Sequence, residues 1–387
     1  MTKPSILKYL ILLVIFFPMA VDIYLPAFPQ VASALSATSS QMKDTISLFI
    51  VGFGVGQLFV GKLADLWGRR VVALSGILIY FVISGSQYFV QSIETLTLLR
   101  LLMGVVTSAT YVSMMAMVKD SYDEKTMPKI LSYVTGALCV IPALAPILGA
   151  YLTEAFGWRS TFAFMSLYAF VVFFILLKWL PETKKAQESH QPSSSYWDIV
   201  SNPTFLLYAL TSMGAMAIIL AYVSSSPIWL IERLDLSMSE FSFWFSANAA
   251  INVASNFILA PYLIHRFNFY KLMSFGLLLI VSSGFLMWNL GNTAFEFMLP
   301  IFICSIGFSL TLGIASSKAL APFGNNAGVA SALFGFIQMS GAGIVVSLVQ
   351  KLGFGVPMEM MFHMFLLLPA FLIILKKAVT KPEAILS

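Results

Sequence analysis

Asp22 lies in the stretch Val14-Ile-Phe-Phe-Pro-Met-Ala-Val-Asp-Ile-Tyr-Leu25, which holds no other charged residue. A carboxylate in hydrocarbon costs several kcal/mol, so acids in such settings mark proton or ion paths. Burial favours the neutral acid and a nearby cation favours the carboxylate, which is the tuning a proton carrier needs. A cation is available in Arg100, within the apolar run Leu98-Leu-Arg-Leu-Leu102. If the helix carrying Asp22 runs outward and the one carrying Arg100 runs inward, the two reach similar depth and can pair. Arg100, Gly104, Ser108 and Tyr111 also recur at helical spacing, a polar stripe suited to lining a cavity. The bland alternatives are that Asp22 snorkels to the surface from a helix ending near Ala27, about 7–8 Å away, and that Arg100 only packs.

A different chemistry resides in Gly61-Lys-Leu-Ala-Asp65-Leu-Trp-Gly68-Arg69-Arg70, read as the loop between the second and third apolar runs. Gly61 and Gly68 permit a tight turn and close helix approach, and Asp65 can accept backbone hydrogen bonds or pair with a cation. With Arg69 and Arg70, these residues form a candidate conformational latch. Gly136, Pro142, Pro146 and Gly149 fall in one apolar run, where proline removes a backbone bond and glycine admits a close neighbour. Tyr24, Gln57, Tyr111, Met114 and Gln338 are candidate cavity residues, each polar or adaptable on a central helix. Gly52-x-x-x-Gly56 reads as ordinary small-residue packing.

The elements that must hold these residues follow from composition. The 387 residues are 59% hydrophobic and 10% charged, against roughly a quarter charged in soluble domains. Apolar runs of about 20 residues recur, at 7–27, 44–62, 72–91, 97–118, 130–152, 158–180, 203–224, 241–261, 272–290, 296–316, 327–350 and 357–376. Each is too long for a barrel strand and reads as a helix. The first run lacks a small-x-small cleavage site before Pro26 and reads as a retained span.

Seventeen of the 22 Lys and Arg residues fall inside if both termini are cytoplasmic, with Lys43, Arg159, Arg233 and Lys351 outside and Arg100 within a span. The acids divide evenly, eight on each side, with Asp22 alone in a span. That is positive-inside behaviour, so the net charge of +5 reports topology rather than a nucleic-acid partner. Cys139 and Cys304 lie in different spans and the three histidines are scattered, so no metal site, cofactor or disulfide is expected.

The polar stretch 181–202 reads as a cytoplasmic linker between six-helix halves at 1–180 and 203–387. Pro261-Tyr-Leu-Ile-His-Arg-Phe-Asn-Phe-Tyr270 is a worn copy of the 61–70 segment, with Leu263 for Leu63 and Phe267 for Trp67. Parallel repeats of this kind place a substrate site near the midplane.

The 61–70 segment resembles the signature loop of the major facilitator superfamily, and the whole chain is similar to its Bcr/CflA branch of drug:proton antiporters. Matching segments are Asp22-Ile-Tyr-Leu-Pro-Ala27, Arg100, Lys119-Asp120, Pro142-Ala-Leu-Ala-Pro146-Ile-Leu-Gly149 and Gly157-Trp-Arg-Ser-Thr-Phe162. Leu180-Pro-Glu-Thr183, Gly307-Phe-Ser309, Ala319-Leu-Ala-Pro-Phe323 and Ala327-Gly-Val-Ala-Ser331 continue the pattern. Met103 stands where the family usually has Gln, and Thr107 stands near a lost glycine, which leaves substrate range open.

The resemblance implies an all-α membrane protein of twelve transmembrane helices in two pseudo-symmetric halves, in the bacterial inner membrane. It implies a monomeric proton-coupled exporter of small lipophilic drugs, chloramphenicol-type compounds included, with Arg100 tied to proton coupling and the Pro142/Pro146 helix limiting leak. Protons, small lipophilic substrates and the lipid bilayer are the expected partners. The alternative is an exporter of an endogenous metabolite or siderophore. A primary pump lacks its Gly-x4-Gly-Lys-Ser/Thr loop, and an enzyme lacks convergent catalytic groups.

Overall fold

The computed structural model describes residues 6–123, 126–184, 196–264, 266–289 and 293–380. Among them, twelve helices are long and apolar enough to cross a membrane, and no strand occurs. They are α1 (Leu7–Ala34), α2 (Ser39–Trp67), α3 (Arg69–Tyr88), α4 (Ile93–Ser121), α5 (Lys129–Phe156), α6 (Arg159–Trp179), α7 (Pro203–Arg233), α8 (Met238–Ile264), α9 (Phe269–Trp288), α10 (Ala294–Phe323), α11 (Val329–Gln350) and α12 (Val356–Thr380). The chain divides into two compact units between Pro192 and Ser193, each holding six of these helices.

Several helices outrun the apolar stretches from which they were predicted, because polar caps rather than hydropathy set their ends. Thr38 accepts from the Gln41 amide while Gln41 reaches back to the Thr38 amide, and Ser237 and Glu240 do the same at α8. Ser92, Asn202 and Thr293 each accept a backbone N–H at the first turns of α4, α7 and α10. The largest departure is at the 61–70 segment, expected as a loop. Here α2 continues to Trp67 and α3 begins at Arg69, leaving Gly68 alone as the corner.

Three prolines break α1. Pro18, Pro26 and Pro29 cannot donate to the carbonyls four residues back, and the path runs Leu7–Val14, Phe16–Asp22, a 3-10 turn over Leu25–Ala27, then Phe28–Ala34. The expected end at Ala27 is therefore an interruption, and helix resumes beyond it. In the first unit, α3 packs along α4 and α6, and in the second α9 packs along α10 and α12. Gly76 admits α4 at Ala109 and Val106, and Gly276, two hundred residues on, admits α10 at Gly307 and Thr311. That shared contact is the repeat at the level of packing. Only the second unit carries π-helical turns among the described residues, at Ile228–Arg233, Ser255–Leu259 and Ile337–Gly341.

Part of the expected linker is ordered as a short helix, Tyr196–Val200, because Ile199 is apolar and fully buried against α7 and the start of α11. Residues 185–195 of that linker lie outside the described residues, as do Lys3, Lys125, Lys185, Lys381 and His265.

Candidate functional site

The interruption of α1 places Asp22 at the end of its Phe16–Asp22 helical segment, 4% exposed. No described residue gives its carboxyl group a hydrogen bond or an ion pair. Gly149 of α5 lies against the backbone of Ile23, so close that a Cβ there would collide with the Ile23 carbonyl. This is the structural use of the α5 pattern: Pro146 and Gly149 are buried, and the helix runs unbroken through Pro142 and Pro146 from Met127 to Phe156. Gly136 is half-buried.

Arg100 is fully buried on α4. Its Nη1 donates to the Ala20 carbonyl at 2.7 Å, and its guanidinium lies 4.9 Å from the Tyr24 ring centre and 5.1 Å from that of Phe49. Nε and Nη2 have no acceptor among the described residues. The pair with Asp22 that the depth argument allowed is therefore not formed. Side chains two apart on a helix diverge by roughly 200°, and Ile23 and Tyr24 keep near-helical dihedrals, so the face that offers Tyr24 to Arg100 turns Asp22 away. Tyr24 itself is enclosed by Phe28, Phe162 and Thr45. Thr45 already donates to the Met42 carbonyl, so Tyr24 is the donor in their 3.5 Å contact.

The rest of the α4 stripe does not line open space. Gly104 sits under the Phe49 carbonyl, Gly52 under that of Leu101, and Gly56 against Ser108. These contacts join α2 and α4 along the most extensive helix pair in the protein. Small residues there let backbones approach, so Gly104 and Ser108 are packing groups. Tyr111 remains half-exposed, edge-on to Phe53 at 5.6 Å. Of the other cavity candidates, Tyr24 and Met114 are fully enclosed, and Gln57 is mostly buried. Gln338, in the α11 π-turn, donates to Ser212 at 2.7 Å.

The second cluster stands at the α2–α3 corner. Gly68 has φ +99°, which glycine alone adopts readily, and a Cβ there would press on the Glu182 carboxylate. Arg69 pairs with Asp65 at 2.8 Å, donates Nε to Asp120 at 2.9 Å and caps the Ala64 carbonyl at 2.8 Å. Arg70 holds the Leu177 carbonyl at 2.6 Å, and Thr183 donates to Asp120 at 3.3 Å. Glu182 accepts the backbone N–H groups of Arg69, Arg70, Thr183 and Lys184 at 2.9–3.1 Å. Partial burial pushes its carboxyl up, and those four donors outweigh it and hold it below the usual carboxylate range. The acid is thus an N-terminal anchor for α3. Gly61 has open space around it and lies within α2, so neither a turn nor a close approach explains it.

Asp120, Glu182 and Thr183 entered the sequence reading only as matching segments, without roles. Pairs separated by 51 and 113 residues leave no periodic signal. Glu359, unremarked in the twelfth apolar run, is buried in α12 at 1% exposure, one turn before the fully buried His363. In the second unit α8 and α10 are joined by uncharged groups: Ser305 donates to Asn248 at 2.8 Å and Asn256 to Ser309 at 3.0 Å.

A model of the family described as Major Facilitator Superfamily matches residues 10–346. Multidrug resistance protein MdtL of Escherichia coli O139:H28 is 30% identical over 348 residues, 89% of this chain and 88% of that protein. MdtL of Shigella dysenteriae serotype 1 is 30% identical over 347 residues, with the same coverage. Among solved structures, a bacterial homolog to the human lysosomal transporter Spinster superposes with a TM-score of 0.79 at 15% identity, covering 98% of each chain. The human organic anion transporter MFSD10 superposes with a TM-score of 0.70 at 16% identity, over 96% of this chain and all of that one. At those identities the two structures speak to the fold alone.

Proposed function

This chain belongs to the major facilitator superfamily, and from that premise we propose that it is a proton-coupled antiporter exporting small lipophilic drugs, chloramphenicol-type compounds among them, by alternating access. The observation that carries the reading is Asp22: an enclosed carboxyl group with no partner among the described residues, at a break in α1 where the buried cation Arg100 holds the main-chain oxygen of Ala20. Its proton is the coupled ion. A group held without a fixed salt bridge can gain and lose a proton as the helix break reopens to one side or the other, whereas a locked ion pair resists both. Similarity to MdtL supports drug-like cargo. Of the substrate-facing candidates Gln57, Tyr111 and Gln338, Tyr111 keeps clear exposure while Gln57 and Gln338 are buried at 8% and 9% exposure.

Arg100 serves the same step as a positioning cation, with two unsatisfied N–H donors available to a carboxylate in another conformation. The Asp65–Arg69–Asp120 chain and Glu182 form the latch at the α2–α3 corner, on the cytoplasmic face, with both termini on that side as the Lys and Arg distribution supports. The protein acts as a monomer.

Purified protein in proteoliposomes, given a pH step and a panel of lipophilic antibiotics, tests the reading. Asp22→Asn should fold normally and reduce gradient-driven drug flux to background. Full-rate export by that variant would overturn it.

A further inference from the structure

Asn248, Asn252 and Asn256 recur at four-residue spacing along α8, and none has a part in the cycle above. Ser305 donates to Asn248 Oδ1 at 2.8 Å, and Ser309 donates to Asn252 Oδ1 at 3.3 Å or to the Ser305 carbonyl at 3.1 Å. A hydroxyl has one hydrogen, so the two Ser309 bonds alternate. Asn252 Nδ2 reaches the Asn248 carbonyl at 3.4 Å, and Asn256 Nδ2 spends its hydrogens on the Asn252 carbonyl at 2.9 Å and on Ser309 at 3.0 Å. The first unit closes its corresponding seam without amides. Two hundred residues earlier stand Gly52 and Gly56, where a Cβ would collide with the Leu101 carbonyl and with Ser108 of α4. Glycine brings α2 hard against α4, whereas side chains stand between α8 and α10 and the pairing is less extensive. Close packing alone does not call for the ladder.

Its surroundings point to a ligand. The ladder lies at the middle of the Met238–Ile264 span, and Phe243, Ala250 and Ala254 are exposed on the opposite side of the helix, about half a turn around. Asn252 and Asn256 are only half-buried. A part-open amide at that depth needs water or a polar ligand, since hydrocarbon offers it no partner. Bonding capacity is also left over: no described residue donates to Asn256 Oδ1 or accepts from Asn248 Nδ2. Charge is absent from the middle of both helices, whose charged side chains are Glu240 on α8 and Glu296 and Lys318 toward the ends of α10.

We propose that this ladder is the hydrogen-bonding side of the cargo site, taking the uncharged hydroxyl and amide groups of an otherwise lipophilic molecule. The proposal rests on the export reading above and narrows its substrate class. Neutral donors and acceptors pair with neutral groups, while a cation would shed its hydration with no counter-charge on either helix. When the Ser309 hydrogen moves to the Ser305 carbonyl, Asn252 Oδ1 is released to accept from a ligand and Ser309 keeps a partner.

Equilibrium binding to the purified full-length protein in lipid nanodiscs tests this. Chloramphenicol is the neutral probe, bearing hydroxyls and an amide, and tetraphenylphosphonium is a lipophilic cation without hydrogen-bonding groups. Asn252→Leu and Asn256→Leu should each weaken chloramphenicol binding about tenfold, the worth of one hydrogen bond, and leave tetraphenylphosphonium binding as in the parent. Equal losses for both probes, or no loss for chloramphenicol, would overturn the proposal. Should a Leu variant fail to fold, Asn252→Asp decides. It keeps an acceptor for Ser309 and adds a negative charge, so preference should move from chloramphenicol toward the cation, and an unmoved preference refutes the site. Binding needs no gradient, so the flux of Asp22→Asn bears on coupling alone and the two readings fail separately.

Discussion

Arg100 donates its Nη1 hydrogen bond to the main-chain oxygen of Ala20 at 2.7 Å, two residues short of the carboxyl group of Asp22. A buried guanidinium is thus held by one carbonyl, the Met103 sulfur and two aromatic faces, with two of its nitrogens lacking an acceptor among the described residues. The arrangement is costly, since desolvating a cation is repaid only when its donors are satisfied.

Replacing Arg100 with Met separates function from stability. The apolar side chain fills similar space between Tyr24 and Phe49 and removes the uncompensated charge. Thermal unfolding in detergent should show stability unchanged or raised, by up to about 1–4 kcal/mol, while pH-driven drug flux falls to background. A variant that melts far earlier would mean that Arg100 is mainly a structural bolt.

The glycines sort by what a methyl group would meet. Gly104→Ala drives a Cβ into the Phe49 carbonyl, and backbone cannot step aside cheaply, so a loss of about 1–3 kcal/mol is expected. Gly68→Ala adds backbone strain at φ +99° to pressure on Glu182, costing about 1–3 kcal/mol. Gly61→Ala meets nothing and should stay within about 0.5 kcal/mol of the parent. Denaturation midpoints give the three values. If transport fails in Gly61→Ala while stability holds, the residue serves motion rather than folding.

Glu182 should make stability depend on pH in the acid range. Its folded carboxyl sits below the unfolded value of 4.5, so the stabilisation is complete above that value and disappears as pH falls through the lower folded one. Melting temperature against pH should therefore drop more steeply on the acid side for the parent than for Glu182→Gln. The variant should also be the less stable of the two at neutral pH, because its amide nitrogen faces donors where an oxygen accepted them. Identical acid limbs in both proteins would show that the anchor contributes nothing.

Asp65→Asn and Asp120→Asn test the latch. Asp65 is more than half exposed and Asp120 mostly covered, at 54% and 17%. An exposed pair is worth about 0–1 kcal/mol and a shielded, hydrogen-bonded one more, so Asp120→Asn should shift unfolding further than Asp65→Asn. Slower drug flux in both variants is expected from a latch. Transport at the parental rate in both would remove that role.

The solvent, the number of helices and the family resemblance were legible in the order of the residues alone. Long apolar runs in lipid have no alternative to helix, and Lys and Arg at their ends are legible one residue at a time. That order also singled out Asp22, since an acid in such a run is anomalous without any partner being known. Which side chains face one another emerged only once the helices were packed. The choice of Ala20 rather than Asp22 by Arg100, the anchoring of α3 by Glu182, and the contact of Ser225 with the buried Glu359 all join residues far apart in the chain. Their contacts depend on helix rotation and on the proline breaks in α1, which a single strand of letters does not encode because the energy of each side chain is set by the neighbouring helix it meets.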